Sequence, residues 1–141
     1  MQPGRIHPQL LADCHYLGSL GASELLLHRN AALPWFILVP DTDVADLLDL
    51  PQQQRDAVMA HCAAVSGFIK QVLAYSKVNF AGLGNVVPQM HLHIIGRRPG
   101  DPCWPDPVWG NLPAGGQYDP GELLGWQADL QKMSGLLPAV L

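Results

Sequence analysis

The sequence predicts an α+β fold, an antiparallel sheet with one long helix and short flanking helices. Three observations carry this expectation. A single amphipathic stretch of about 20 residues begins near Pro51. Short apolar runs bounded by turn residues come before it, and strand-like runs come after it.

In chain order, His7 to Leu17 reads as a short helix ended by Gly18. Glu24 to His28 and Trp35 to Val39 are apolar runs separated by Arg29-Asn30-Ala31-Ala32-Leu33-Pro34, the pattern of two antiparallel strands joined by a loop. Asp41 to Asp49 is polar and irregular, with one helical turn expected at Val44 to Leu48. Pro51 suits the first position of a helix. Val58, Cys62, Val65, Ile69 and Val72 then recur at spacings of three and four, which gives the helix one apolar face.

Lys77 to Ala81 reads as a strand, Leu83-Gly84-Asn85 as a turn, and Val86 to Arg97 as a longer strand. Arg98 to Pro120 is too rich in proline and glycine for regular structure. A last helix is expected over Glu122 to Met133.

With 141 residues, the chain is the size of one domain. One domain is expected over residues 1–141, with a motif-bearing core at about 20–98 and a Pro/Trp-rich loop and helix at 99–141. Apolar residues form 48% of the chain and charged residues 14%, which excludes a disordered class. A net charge of −4 gives no reason to expect nucleic acid or an anionic membrane as a partner. Met1 to Leu10 lacks the apolar run of a secretory signal, and no stretch approaches the roughly 20 apolar residues that span a bilayer. Cys14, Cys62 and Cys103 are scattered and odd in number, which favours free thiols and a cytoplasmic setting.

The chemistry converges on Gln89-Met90-His91-Leu92-His93-Ile94-Ile95. On a strand, Gln89, His91 and His93 would share one face, and Met90, Leu92 and Ile94 the other. The polar set would line an exposed surface or cleft, with successive imidazoles about 7 Å apart. Such a pair can be two solvated histidines, part of a metal site or a phosphate-reactive site. A metal would need a third ligand. The next acidic residue is Asp101, beyond Arg97 and Arg98, whose charge opposes a cation.

The flanking residues favour phosphate chemistry. The segment from Val78-Asn79-Phe80 through Gly84-Asn85 to His91-Leu92-His93-Ile94-Ile95 resembles the signature of the histidine triad (HIT) superfamily. There a strand bearing Asn leads to a Gly-polar turn and then to three alternating histidines. Trp35-Phe36-Ile37-Leu38-Val39-Pro40, followed by Asp46-Leu47-Leu48-Asp49-Leu50, is similar to the strand and segment before that family's long helix. The loop from Asp101 to Gly110 resembles the C-terminal segment of bacterial members with glutamine at the first triad position.

The resemblance implies a HIT-like fold, a homodimer and a small-molecule nucleotide partner. It implies His91 as nucleophile and His93 as the phosphate contact near the leaving group, with Gln89 completing the catalytic set. Nucleotide or phosphate contacts would fall on Asn79, Asn85 and either Arg29 or Asn30. It implies no metal and no cofactor. The activity implied is hydrolysis or nucleotidyl transfer at the α-phosphate of dinucleoside polyphosphates, nucleoside phosphoramidates or adenylylated small molecules. A non-catalytic nucleotide-binding protein is the alternative, with a metal-dependent hydrolase behind it. A neutral imidazole can attack phosphorus unaided by metal if its other nitrogen donates its proton to a backbone carbonyl.

Two departures stand out. Gln89 replaces the first histidine, and glutamine cannot shuttle a proton at neutral pH. Val86 stands where the family often has serine. Arg97 and Arg98 read as the solvated end of a strand, and His7, His15, His28 and His61 as ordinary surface or half-buried residues. Trp104 and Trp109 are expected to pack across the sheet or a dimer partner.

Overall fold

The computed structural model describes residues 5–141, so the first four positions of the N-terminal reading lie outside it. Six strands form an antiparallel sheet in the order β4-β5-β3-β2-β1-β6. They are β1 (Cys14–Leu20), β2 (Ser23–His28), β3 (Trp35–Pro40), β4 (Lys77–Ala81), β5 (Leu92–Arg97) and β6 (Leu137–Pro138). Helices α1 (Pro8–Asp13), α2 (Gln52–Gln71) and α3 (Pro120–Ser134) surround it. Among the described residues, no helix is long and apolar enough to cross a membrane. All three cysteines are free and buried.

The long helix forms where its apolar spacing places it, with Val58, Cys62, Val65, Phe68 and Ile69 buried. These residues cover Phe36, Leu38, Leu92 and Ile94 on one sheet face, beside Leu123 and Leu130 of α3. Phe68 meets Phe36 and Trp126 with ring centroids 6.0 Å apart in both cases. Truncating such a fully enclosed ring to alanine commonly costs about 3–5 kcal/mol. Gly96 permits the close fit of α2 on β5, because a Cβ there would lie 2.8 Å from Ile69 Cγ2 and 2.6 Å from Pro34 Cγ.

The sheet's other face is also buried. Leu26, Trp35, Ile37, Val39 and Ile95 pack beneath Ile6, Leu10, Cys103 and Val108. All six residues of β5 are therefore inaccessible. The polar face expected to be open is roofed by the N-terminal segment and by the loop after β5.

Two boundaries differ from the sequence reading. The helix expected over His7 to Leu17 stops at Asp13, and β1 continues through Gly18. Register shifts between Tyr16 and Gly18, leaving Leu17 as the extra residue of a β-bulge. The bulge's Leu17 carbonyl accepts bonds from Ala139 N–H and from the buried Gln127 side chain. Gly18, at φ +144°, lets β6 cross closely, since a Cβ would fall 2.2 Å from the Leu137 carbonyl oxygen. The second correction concerns Val86 to Arg97: only Leu92 to Arg97 is strand. Pro88 has no N–H to give a ladder, and residues 86–91 run as irregular backbone into β5.

Candidate active site

His93 pairs with Ile37 of β3 and Ala81 of β4. Alternation along β5 turns its ring away from α2, on the face that also carries Ile95 and Arg97. His91 lies one residue before the strand begins. The two imidazole centroids are 5.0 Å apart with planes at 69°. That is closer than two residues of strand rise, because His91 sits on the irregular approach.

The two rings are held in opposite senses. His91 Nδ1 lies 2.7 Å from the Gln89 carbonyl oxygen. A carbonyl only accepts, so Nδ1 donates and the neutral ring keeps its lone pair on Nε2. The indole of Trp35 donates from Nε1 to His93 Nδ1 at 3.0 Å. An indole N–H only donates, so the proton of neutral His93 sits on Nε2. That Nε2 is buried without a partner. Burial, then the charges of His91 and His28, push the His93 pKa down from 6.5 to about 4. His93 is therefore neutral near pH 7 and presents a single N–H.

Aromatic rings pack round His93. Trp35 stacks on His28 at 4.4 Å and 12°, while Trp109 meets Trp35 edge-on at 5.8 Å and His93 at 4.9 Å. A cavity of about 410 Å³ opens beside them, reached by Leu10, His28, Trp35, Asn85, His91 and His93. A second, of about 430 Å³, flanks His91 on the side of Asp46, Phe80 and Leu83. His91 borders both.

The HIT domain family model matches residues 10–100. The chain belongs to the HIT domain family. Membership places it in a superfamily of nucleotide-binding hydrolases and transferases. Among solved structures, a histidine triad protein from Bradyrhizobium japonicum is 36% identical, with a TM-score of 0.83 over 92% of this chain and 96% of that one. One from Marinobacter aquaeolei is also 36% identical, with a TM-score of 0.83 over 93% and 96%. A zinc-bound histidine triad family protein from Mycobacterium smegmatis, 18% identical, shares the fold at a TM-score of 0.53 over 83% and 86%. No curated protein matches the chain at a significant level.

Of the residues the sequence singled out, this HIT domain brings His91, His93 and Asn85 to one cavity. Asn79 does not line it; its Oδ1 accepts from Arg97 Nη1 at 2.9 Å. Asn30 ties the β2–β3 loop to the C-terminal segment through Gly115 N–H and the Pro113 carbonyl. Arg29 reaches the Ala12 carbonyl and His15. The side chain of Gln89 turns to the N-terminal segment and bonds His7 and Arg5.

Arg97 corrects the expectation of a solvated strand end, being 1% exposed. It pairs with Asp101 at 2.8 Å and 3.2 Å and donates to the Asp106 carbonyl. The guanidinium fork thereby fastens to β5 the loop that carries Trp109. Among the described residues, no group of three His, Cys, Asp or Glu side chains is arranged to hold a metal ion.

Sequence reading missed His28, Trp35 and Trp109 as site residues. A signal for the first two existed. The β2–β3 register pairs Leu27 with Phe36, and the next step outward sets His28 opposite Trp35. Nothing local announces Trp109, which a loop delivers.

Proposed function

We propose that this HIT domain is a nucleotide hydrolase or nucleotidyl transferase that works through His91. The observation that carries the reading is the pair of opposed tautomers: one ring offers a lone pair and its neighbour, 5.0 Å away, an unpartnered N–H. A phosphoryl group needs both, a nucleophile for phosphorus and a donor for oxygen.

In the first step, His91 Nε2 forms an N–P bond to the α-phosphorus while the bond to the leaving group breaks. The leaving group departs with that electron pair. His91 keeps its Nδ1 proton throughout, and the Gln89 carbonyl accepts from the cationic ring more strongly than from the neutral one. His93 Nε2–H hydrogen-bonds a phosphoryl oxygen without surrendering its proton, since a neutral imidazole is far too weak an acid. Water, or an acceptor hydroxyl in a transferase, then attacks phosphorus. The N–P electrons return to His91 Nε2, and the attacking oxygen loses its proton to solvent.

Removing one such donor commonly costs about 3 kcal/mol of barrier, so His93→Ala should slow turnover about 100-fold or more. Neutral quench and mass spectrometry should find a nucleotidyl group on His91 after mixing with a dinucleoside polyphosphate or an adenylylated amine. His91→Ala should bind nucleotide and not turn it over. Turnover by His91→Ala at the wild-type rate refutes the mechanism. Nucleotide binding by wild type with no adduct and no product favours a binding protein instead.

A further inference from the structure

Gln89 occupies the position where the motif leads one to expect a third histidine, yet its side chain leaves the imidazole pair. Its Oε1 accepts from the His7 N–H at 2.8 Å, and its Nε2 donates to the Arg5 carbonyl at 2.9 Å. One primary amide thus satisfies two backbone groups two residues apart, as the edge of a neighbouring strand would. Between them Ile6 is 2% exposed and packs in the cluster that holds Leu10, Cys14 and Trp35.

The helix that begins just beyond these residues gives the contact its meaning. His7 is the N-cap of α1, and its Nδ1 accepts from the Gln9 N–H at 3.0 Å. Pro8 starts the helix, and Gln9, Leu10 and Asp13 form a wall of the cavity that His91 and His93 border. With six residues, α1 is too short to hold itself in place. Its C-terminal end runs straight into β1, and its N-terminal end is held by buried Leu10 and by the anchorage of the chain entering it. Meanwhile the backbone carbonyl of Gln89 fixes His91 Nδ1.

We propose that Gln89 is a positioning residue that joins the two halves of the site. Its backbone sets the ring of His91, its side chain sets the α1 wall of the nucleotide cavity, and it takes no part in proton transfer. This rests on the reading of that cavity as the nucleotide site. Losing the side chain should then move the wall and spare the carbonyl, which any residue supplies.

Two variants test this. Gln89→Ala removes both side-chain bonds. Gln89→Glu keeps the shape and the acceptor for His7, and sets a carboxylate oxygen against the Arg5 carbonyl in place of the donor. Circular dichroism establishes that each is folded. Hydrogen exchange at the His7 amide should quicken about tenfold in Gln89→Ala, the scale of a lost hydrogen bond or two. In Gln89→Glu the His7 amide keeps an acceptor and should exchange more slowly than in Gln89→Ala.

With AMP as the probe, Kd followed by tryptophan fluorescence should rise about fivefold to tenfold in Gln89→Ala. KM should rise with it, while kcat stays within about threefold and the His91 adduct still forms. Unchanged protection of His7 in Gln89→Ala overturns the proposal. So does a fall in kcat as deep as that of His91→Ala, which would make Gln89 a chemical participant. If wild type binds no AMP and turns over no substrate, the nucleotide reading fails by itself, and the exchange arm still decides whether Gln89 anchors α1.

Discussion

Acid should unfold this domain partly through His93, and the size of the effect comes from its setting. An imidazole in an unfolded chain takes up its proton near 6.5, whereas His93 does so in the folded domain only near about 4. Burial is the main cause, with the charges of His91 and His28 behind it. Below 6.5 the unfolded chain therefore binds a proton that the folded chain refuses, and protons pull the equilibrium toward unfolding. The stability tied to this group is whole above 6.5, falls with pH through the window and levels off below about 4. Between about pH 7 and about pH 4.5 the loss is about 2 kcal/mol from this one ring. Urea unfolding followed by tryptophan fluorescence at the two pH values measures it. His93→Asn removes the titrating ring and leaves a carbonyl oxygen for the Trp35 indole. His15 and His28, whose pKa values are also lowered by burial first, stay in both proteins and contribute to both curves. The variant should lose about 2 kcal/mol less than wild type over the interval. Parallel losses would show that His93 is not held neutral, and the account of its tautomer would fall with it.

Three further outcomes are expected. Arg97→Met leaves Asp101 buried without its cation and should cost about 3–5 kcal/mol in chemical denaturation, with a red shift of tryptophan emission as Trp109 is released; a loss below about 1 kcal/mol would contradict the clamp. Turnover should survive chelation, because no third protein donor joins His91 and His93 among the described residues; stoichiometric zinc in the purified protein with activity lost in chelator would promote the metal-dependent reading. Light scattering should give a mass near twice 15.3 kDa, because β4 ends the sheet and leaves Phe80 44% exposed on that edge; a monomer mass at micromolar concentration would contradict it.

The parts of this fold that sequence announces are those with an unbroken period. Val58, Cys62, Val65 and Ile69 mark α2, and the runs of β2, β3 and β4 stand between clear turn residues. β1 was hidden by its own bulge. Cys14, Leu17 and Leu20 are all buried, and spacings of three read as helix when an inserted residue shifts a strand's alternation. Two-residue β6 has no pattern to find. In the site, His91 and His93 were legible because they neighbour one another in sequence as in space. His28, Trp35 and Trp109 come from three separate segments and meet only through sheet register and a loop. Arg97 was misread because its partners at 101, 103 and 106 keep no period; they are loop atoms gathered round one guanidinium.

That clamp makes the roof of the site a cassette. Arg97 holds Asp101, Cys103 and the Asp106 carbonyl, all within nine residues of itself, and within the loop Asn111 reaches back to the Pro107 carbonyl. The segment from Asp101 to Leu112 is thus fastened at the outer end of β5 and closed upon itself, with Trp109 at its tip against His93. Its attachment point and its working tip are different residues. Changes at the tip can therefore reshape the space over the histidines while β5, which carries His93, stays in place. Cys103 and Val108 bury the base of this loop in the core, and Trp109 alone carries its contact to the ring of His93.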